Sequence, residues 1–260
     1  MTVFAINHFS DLKPEELELY NGVVPVRNVS EAFANTASTV SSYSSLPEFD
    51  WRKMGVVSHV KDQGKCGSGY IFSAIGAMEA RYNMKYRQCL AFSEGQALDC
   101  CEHAGCYGGD PWRIINGYWF LPGVMLEKDY QYHPERQTCQ ISKKVVTHVI
   151  PQVYSLLPVF NENYLRSFLI SFGPLAICLN SADFKHYSGG ILEPDLCTGK
   201  PLDHCVLLVG YGEENGKEFW ILKNSYGVLW GENGYVRIRR GVKACGIGGK
   251  YYTATTAFMQ

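Results

Sequence analysis

The order of local patterns along the chain constrains the fold more than any single residue does. Helical periodicity occupies the first half of the main body, over 70–87, 94–101 and 111–121, with one later stretch over 161–171. Strand-like runs then take over at 174–180, 203–212, 218–224, 234–240 and 251–258, while 130–137 reads as loop. Helices followed by strands imply an α+β fold, since alternating patterns would be needed for a parallel α/β sheet. Within 70–87, Ile71, Ile75, Met78, Ala80 and Tyr82 form an apolar face, and Glu79, Arg81, Lys85 and Arg87 supply the charged remainder.

Composition bounds the function classes. A chain of 260 residues, 46% hydrophobic, has room for one or two domains and a large core. A formal net charge of −1 gives no electrostatic case for nucleic acid or a membrane surface as partner. No run approaches the roughly 18 apolar residues of a membrane-spanning helix. No signal peptide is legible at Met1, and no internal repeat is visible. Ser and Thr cluster over 36–45, which reads as a linker and divides the chain into 1–45 and 46–260. Ten cysteines are many for a reducing compartment, and sequence alone leaves their pairing open.

The segment Gln63-Gly64-Lys65-Cys66-Gly67-Ser68-Gly69-Tyr70-Ile71-Phe72-Ser73 carries the sharpest signal. It resembles the active-site segment of papain-like cysteine proteases of the cathepsin L type, Q-G-x-C-G-S-C-W-x-F-S, whose second Cys is the nucleophile. Here Gly69 holds that position. Further along, Leu202-Asp203-His204-Cys205-Val206 resembles the family's catalytic His strand, and Phe219 to Gly227 resembles its Asn segment. Trp230-Gly231-Glu232-Asn233-Gly234-Tyr235 is also in the family's wording, and Pro47 to Arg52 looks like the start of a mature domain. Before it, Phe4 to Leu12 is similar to the end of an inhibitory prosegment, with Ala5 where the motif G-x-N-x-F-x-D has Gly.

The resemblance implies a helical left lobe and a barrel-like β right lobe with a cleft between them. It implies His204 as general base, Asn224 as the residue orienting it and Gln63 as an oxyanion donor. A vacant nucleophile position at the start of a helix implies a site built to hold a thiolate that is not there. Trp-to-Tyr changes at Tyr70 and Tyr226 accompany it. His204, Asn224 and Gln63 would also be retained simply as a satisfied hydrogen-bond network, because unpairing buried polar groups costs about 1–3 kcal/mol each. In Cys106-Tyr107-Gly108-Gly109-Asp110-Pro111-Trp112, Gly108, Gly109 and Pro111 match a substrate-binding rim, and Tyr107 could fill nearby space.

The same resemblance pairs Cys66 with Cys106, Cys100 with Cys139, and Cys197 with Cys245. Cys178 and Cys205 fall where the family lines its main specificity pocket; they would face each other and either bridge, bind a soft metal or stay as buried small hydrophobes. Cys89 and Cys101 are left over. Cys100-Cys101-x4-Cys106 is similar to a zinc site, but the implied bridges consume two of its three sulfurs. His8, His59, His103, His133, His148 and His186 show no ligand spacing, so no metal or cofactor is expected.

The disulfide framework implies a secretory, lysosomal or extracellular setting, hence a true N-terminus upstream of Met1. Asn28-Val29-Ser30 would then be a glycosylation sequon. The functional expectation is a pseudoprotease, not an enzyme, acting as a structural or interaction protein. It would have a protein partner or larger assembly, with its own prosegment, residues 18–29 above all, retained in the cleft. The alternatives are a peptide- or ligand-binding module using the vacant cleft, or a cysteine endopeptidase inactivated by a Cys-to-Gly change.

Overall fold

Two large apolar clusters among the described residues, one among helices and one around a sheet, flank a cleft, and a smaller third contains Ala77, Ala176, Leu207 and Val209. The computed structural model describes residues 1–23, 46–102, 104–118, 121–141, 151–158, 162–248 and 253–259, with 151–158 and 253–259 described by backbone alone. The Ser/Thr-rich linker, the sequon at Asn28, His103 and His148 lie outside these residues.

The helical lobe holds α2 (Gly69–Tyr86), α3 (Glu94–Cys100) and α4 (Pro111–Gly117). Ser93 caps α3 by accepting from the Gln96 N–H, and Asp110 caps α4 by accepting from Trp112. Tyr70, Ile71, Ile75, Met78, Leu98, Ile114 and Tyr118 pack together as this lobe's core. The α4 pattern read to 121, but the helix stops at Gly117. Glycine is a weak helix former there, and Pro122 soon forbids continuation.

The one-sided face expected for α2 is a misreading. The helix is buried almost all round, and Glu79, placed by periodicity among solvent-facing charges, is 1% exposed. The reason is tertiary: α2 lies between the other helices and the strands β4 (Leu175–Leu179), β7 (His204–Glu214) and β10 (Thr253–Met259).

In the second lobe, β3 (Pro151–Pro158), β8 (Lys217–Lys223), β9 (Tyr235–Arg239) and β6 (Ile191–Leu192) complete a sheet of order β3-β10-β4-β7-β8-β9-β6, with β2 (Phe49–Asp50) added on β7. All these pairings are antiparallel except β6 with β9. Sequence reasoning missed β3, whose terminal prolines argue against a strand; at the sheet's edge proline is tolerated. Helix α5 (Glu162–Phe172) packs beside β7, and Phe168, Leu175, Ile177, Tyr211, Trp220 and Trp230 belong to this lobe's core.

Buried charge ties the lobes together. Lys61 Nζ donates to Glu79 on α2 at 2.9 Å and to Glu94 on α3 at 2.8 Å. Ser58 Oγ donates to Glu79 and accepts from Lys223 on β8 at 3.0 Å. Four disulfides are formed: Cys66–Cys106, Cys100–Cys139, Cys197–Cys245 and Cys178–Cys205. Cys89 is free and exposed, and Cys101 free and buried.

The N-terminal residues pack on this body. Strand β1 (Val3–Phe4) pairs with β5 (Tyr187–Gly189), Asn7 Nδ2 donates to the Lys185 carbonyl at 2.8 Å, and Phe9 is 2% exposed. After α1 (Pro14–Glu18) the chain enters the cleft.

Candidate active site

The site forms where the N-terminus of α2 meets the first residue of β7. Gly69 opens α2, after Ser68, whose hydroxyl is hydrogen-bonded to the Tyr132 hydroxyl at 2.7 Å and so turned away from the cleft. His204 opens β7 opposite Leu179 of β4. A Cβ built on Gly69 would lie 2.6 Å from His204 Cε1 and 2.7 Å from Nδ1. The imidazole therefore stands directly against the place where a side chain at 69 would begin.

The proton positions on His204 follow from its neighbours. Asn224 Oδ1 accepts from the Ser225 backbone N–H at 2.8 Å, which fixes that atom as the amide oxygen. The ring's Nε2 lies 2.8 Å from the same oxygen and must donate to it. Nδ1 is left as the acceptor, facing position 69. Burial pushes the His204 pKa down, against smaller upward effects of Asn224 and Asp203, so the neutral ring is favoured. Tyr226 stacks on the imidazole, centroids 4.8 Å apart at 22°. The other Asn224 amide atom, Nδ2, is buried without a hydrogen-bond partner among the described residues.

Gln63 is fully buried, and its Oε1 accepts from Ser225 Oγ. Its Nε2 donates to the Cys66 carbonyl at 2.8 Å and to the Tyr20 carbonyl at 2.9 Å. The second acceptor is a peptide carbonyl brought in by the N-terminal segment. Next along that segment, Asn21 Oδ1 accepts from Ser181 Oγ at 3.2 Å, and the Gly22 N–H donates to the Asp203 carbonyl at 2.6 Å. Val23 then pairs with Gly109 in parallel orientation. Gly22 and Gly108 are in such close contact that a Cβ on Gly22 would lie 2.4 Å from the Gly108 Cα. Gly108 has φ +90°, a conformation that favours glycine. Pro111 is buried at the start of α4, and Tyr107 is 95% exposed, filling no space.

Sequence reasoning missed the aromatic lid over this site. Phe9 meets Tyr20 and Tyr226 edge-on, at 4.9 Å to each, and Tyr226 also meets Trp230 edge-on at 5.4 Å. The alternation of aromatics in Phe9, Tyr20 and Tyr226 carries no local period, so only the folded chain brings them together. Tyr70, in the other changed position, is buried, and its hydroxyl donates to the Gly105 carbonyl at 2.9 Å and accepts from the Gly105 N–H at 2.8 Å. Burial pushes its pKa up to about 12.

For metals, among the described residues the close His/Cys/acid group is Asp183, Cys197 and Cys245. Two of these sulfurs are bonded to each other, and Asp183 accepts from the N–H groups of Asp195, Leu196 and Cys197.

A family model described as papain family cysteine protease matches residues 46–255. The chain belongs to the papain family. It is 36% identical to a viral cathepsin of Spodoptera exigua nuclear polyhedrosis virus over 94% of its own length and 73% of that protein's. A viral cathepsin of Autographa californica nuclear polyhedrosis virus is 33% identical, with 94% and 75% covered. Among solved structures, digestive procathepsin L2 from the larval midgut of Tenebrio molitor superposes with a TM-score of 0.89 at 31% identity, covering 99% of this chain and 84% of that one. A recombinant stem bromelain precursor gives 0.82 at 30% identity, covering 100% and 84%. The α+β papain-like architecture is that of the family.

One expectation is overturned. The lack of a thiol at position 69 implies a chain that is not an enzyme. The relatives that match it nearly end to end are named cathepsins and a procathepsin, cysteine proteases, and the family model is a protease model.

Proposed function

We propose that this chain is a cysteine endopeptidase of the cathepsin L type that carries glycine at its nucleophile position, with residues 1–45 as its prosegment. The observation that supports it best is the Tyr20 carbonyl accepting from the Gln63 amide at 2.9 Å, beside a His204 whose acceptor nitrogen faces residue 69. A peptide carbonyl, an oxyanion donor and a base are thus gathered at the start of α2.

A thiol at 69 would give its proton to His204 Nδ1 and attack such a carbonyl, with Gln63 donating to the developing oxyanion. Asn224 would hold the imidazolium through Nε2. Gly108, Gly109 and the Asp203 carbonyl would pair with the extended peptide, and Pro111, Cys178 and Cys205 would border its side chains. The segment at Tyr20 to Val23 would occupy this cleft as prosegment, with Val23 in an isolated parallel bridge to Gly109.

Gly69→Cys in the full chain tests the proposal. The new thiol should label with a pKa well below the usual ~8.5, and a fluorogenic peptide should be cleaved once the chain is cut between residues 23 and 46. An ordinary thiol pKa together with no cleavage after cutting would overturn it. Peptide binding by the glycine-bearing cleft is the second reading, supported by the contacts of Tyr20 to Val23. Retention of a peptide copy of residues 14–23 by the cut chain measures it.

A further inference from the structure

Tyr70 follows Gly69 in the first turn of α2 and takes no part in the chemistry above. Its side chain is fully buried, yet it carries a hydroxyl whose two partners belong to one residue. The hydroxyl donates to the Gly105 carbonyl at 2.9 Å and accepts from the Gly105 N–H at 2.8 Å. A paired residue in an antiparallel ladder makes the same double exchange; here a side chain supplies it. Gly105 opens the stretch that runs to Gly109. The Cys66–Cys106 bridge holds that stretch next along, and the Gly67 N–H donates to the Cys106 carbonyl at 2.8 Å. At the far end the Tyr70 ring presses on Gly109, where a Cβ would lie 2.3 Å from its Cε2 and 2.6 Å from its Cζ. Gly109 is not among the residues with positive φ, so contact with this ring, and not backbone conformation, requires glycine there. One side chain therefore tethers the stretch at Gly105 and sets its depth at Gly109. Gly108 touches Gly22, and Gly109 pairs with Val23.

We propose that Tyr70 is a positioning residue for extended peptides: its hydroxyl and ring hold the Gly105–Gly109 stretch where Gly108 and Gly109 meet a peptide backbone. The inference rests on the cleft being a peptide site, and it names the group that keeps the rim in place. Neither phenylalanine nor tryptophan can stand in for the hydroxyl. Phenylalanine has no polar side-chain atom, and an indole N–H donates but cannot accept from the Gly105 N–H. Tryptophan, which the family pattern has at this position, is also larger than the ring that already presses on Gly109. A return to the family's residue should therefore loosen the rim in this chain.

Amide hydrogen exchange in the full chain tests this without any catalysis. In Tyr70→Phe the Gly105 amide loses its acceptor and should exchange roughly 5- to 150-fold faster, as the loss of two hydrogen bonds predicts. The Gly22 amide, bonded to the Asp203 carbonyl and not to Tyr70, should accelerate with it by at least about threefold. The Ala5 amide, bonded to the His186 carbonyl on the same N-terminal segment, and the amides of β7 should stay within about twofold. Tyr70→Trp should match Tyr70→Phe at Gly105 and Gly22. Unchanged exchange at Gly22 in either variant overturns the proposal, whether or not Gly105 responds. Equal acceleration at Gly22, Ala5 and β7 also overturns it, since Tyr70 would then only stabilise the fold. In a Gly69→Cys background that cleaves peptides, Tyr70→Phe should raise KM about tenfold and leave kcat within about twofold; a fall in kcat with KM unchanged overturns the positioning role. Absence of cleavage by Gly69→Cys counts against the protease reading and leaves the exchange test standing, so the two fail separately.

Discussion

Phe9→Ala is expected to loosen the cleft segment from the body. Phe9 is 2% exposed and sits edge-on between Tyr20 and Tyr226, 4.9 Å from each. Truncating a buried Phe costs about 3–5 kcal/mol. That energy is expected to be lost from the segment's docking, although Phe9 and Tyr20 also belong to the sheet lobe's core cluster. A loss of this size raises the open fraction roughly 150- to 4000-fold. The reporter is the Gly22 N–H, bonded to the Asp203 carbonyl. Its exchange should accelerate by that factor, while amides in α2 and β7 change little. An acceleration below about tenfold would falsify the docking energy assigned here. Acceleration of the α2 and β7 amides in step with Gly22 would show that the segment opens only by unfolding the whole molecule.

Two further predictions concern the buried charges. Burial holds the Glu94 carboxyl up to about 7, above its ordinary 4.5, against the pull of Lys61, while nearby Glu79 is held below the ordinary value. A raised acid favours the folded state below the unfolded pKa and loses that contribution as pH rises through the folded one. Denaturant titrations should therefore show Glu94→Gln removing a stability decline of up to about 3 kcal/mol between pH 4.5 and 7; a decline unchanged by the substitution would refute this. Lys61→Met leaves Glu79 and Glu94 without their shared cation and should cost about 3–5 kcal/mol at neutral pH. Adding Glu94→Gln should return part of that loss, and no recovery would count against the cluster acting as one unit.

Much of the architecture was legible because it rests on repeating patterns. The long strand at His204 and the helix at Gly69 carry enough apolar residues to be read locally, and both fall within two residues of expectation. Glu79 shows the limit: a carboxylate on an amphipathic helix reads as solvent-facing, and only the arrival of Lys61 and Ser58 from a distant loop makes its burial tolerable. The site's polar residues were legible as motifs, but their proton arrangement was not. It depends on the Ser225 N–H fixing the Asn224 amide, a contact no sequence pattern encodes. The aromatic lid was hidden for the same reason, since Phe9 and Tyr226 lie far apart in the chain. The absence of a thiol at Gly69 was plain in the sequence, yet it was a poor guide to what kind of protein this is.

The occupant of the cleft and the cleft itself are one polypeptide, joined through residues 24–45. Tethering of this kind presents Tyr20 to Val23 to their subsites at an effective concentration on the order of millimolar. A free peptide making the same contacts would have to reach that concentration to compete, so the intact chain discriminates against outside peptides through connectivity alone. A single cut in the connecting stretch turns the contest into an ordinary bimolecular one, set by how much of the freed segment is dissolved nearby. Dilution would then empty the cleft, although no contact within it had changed.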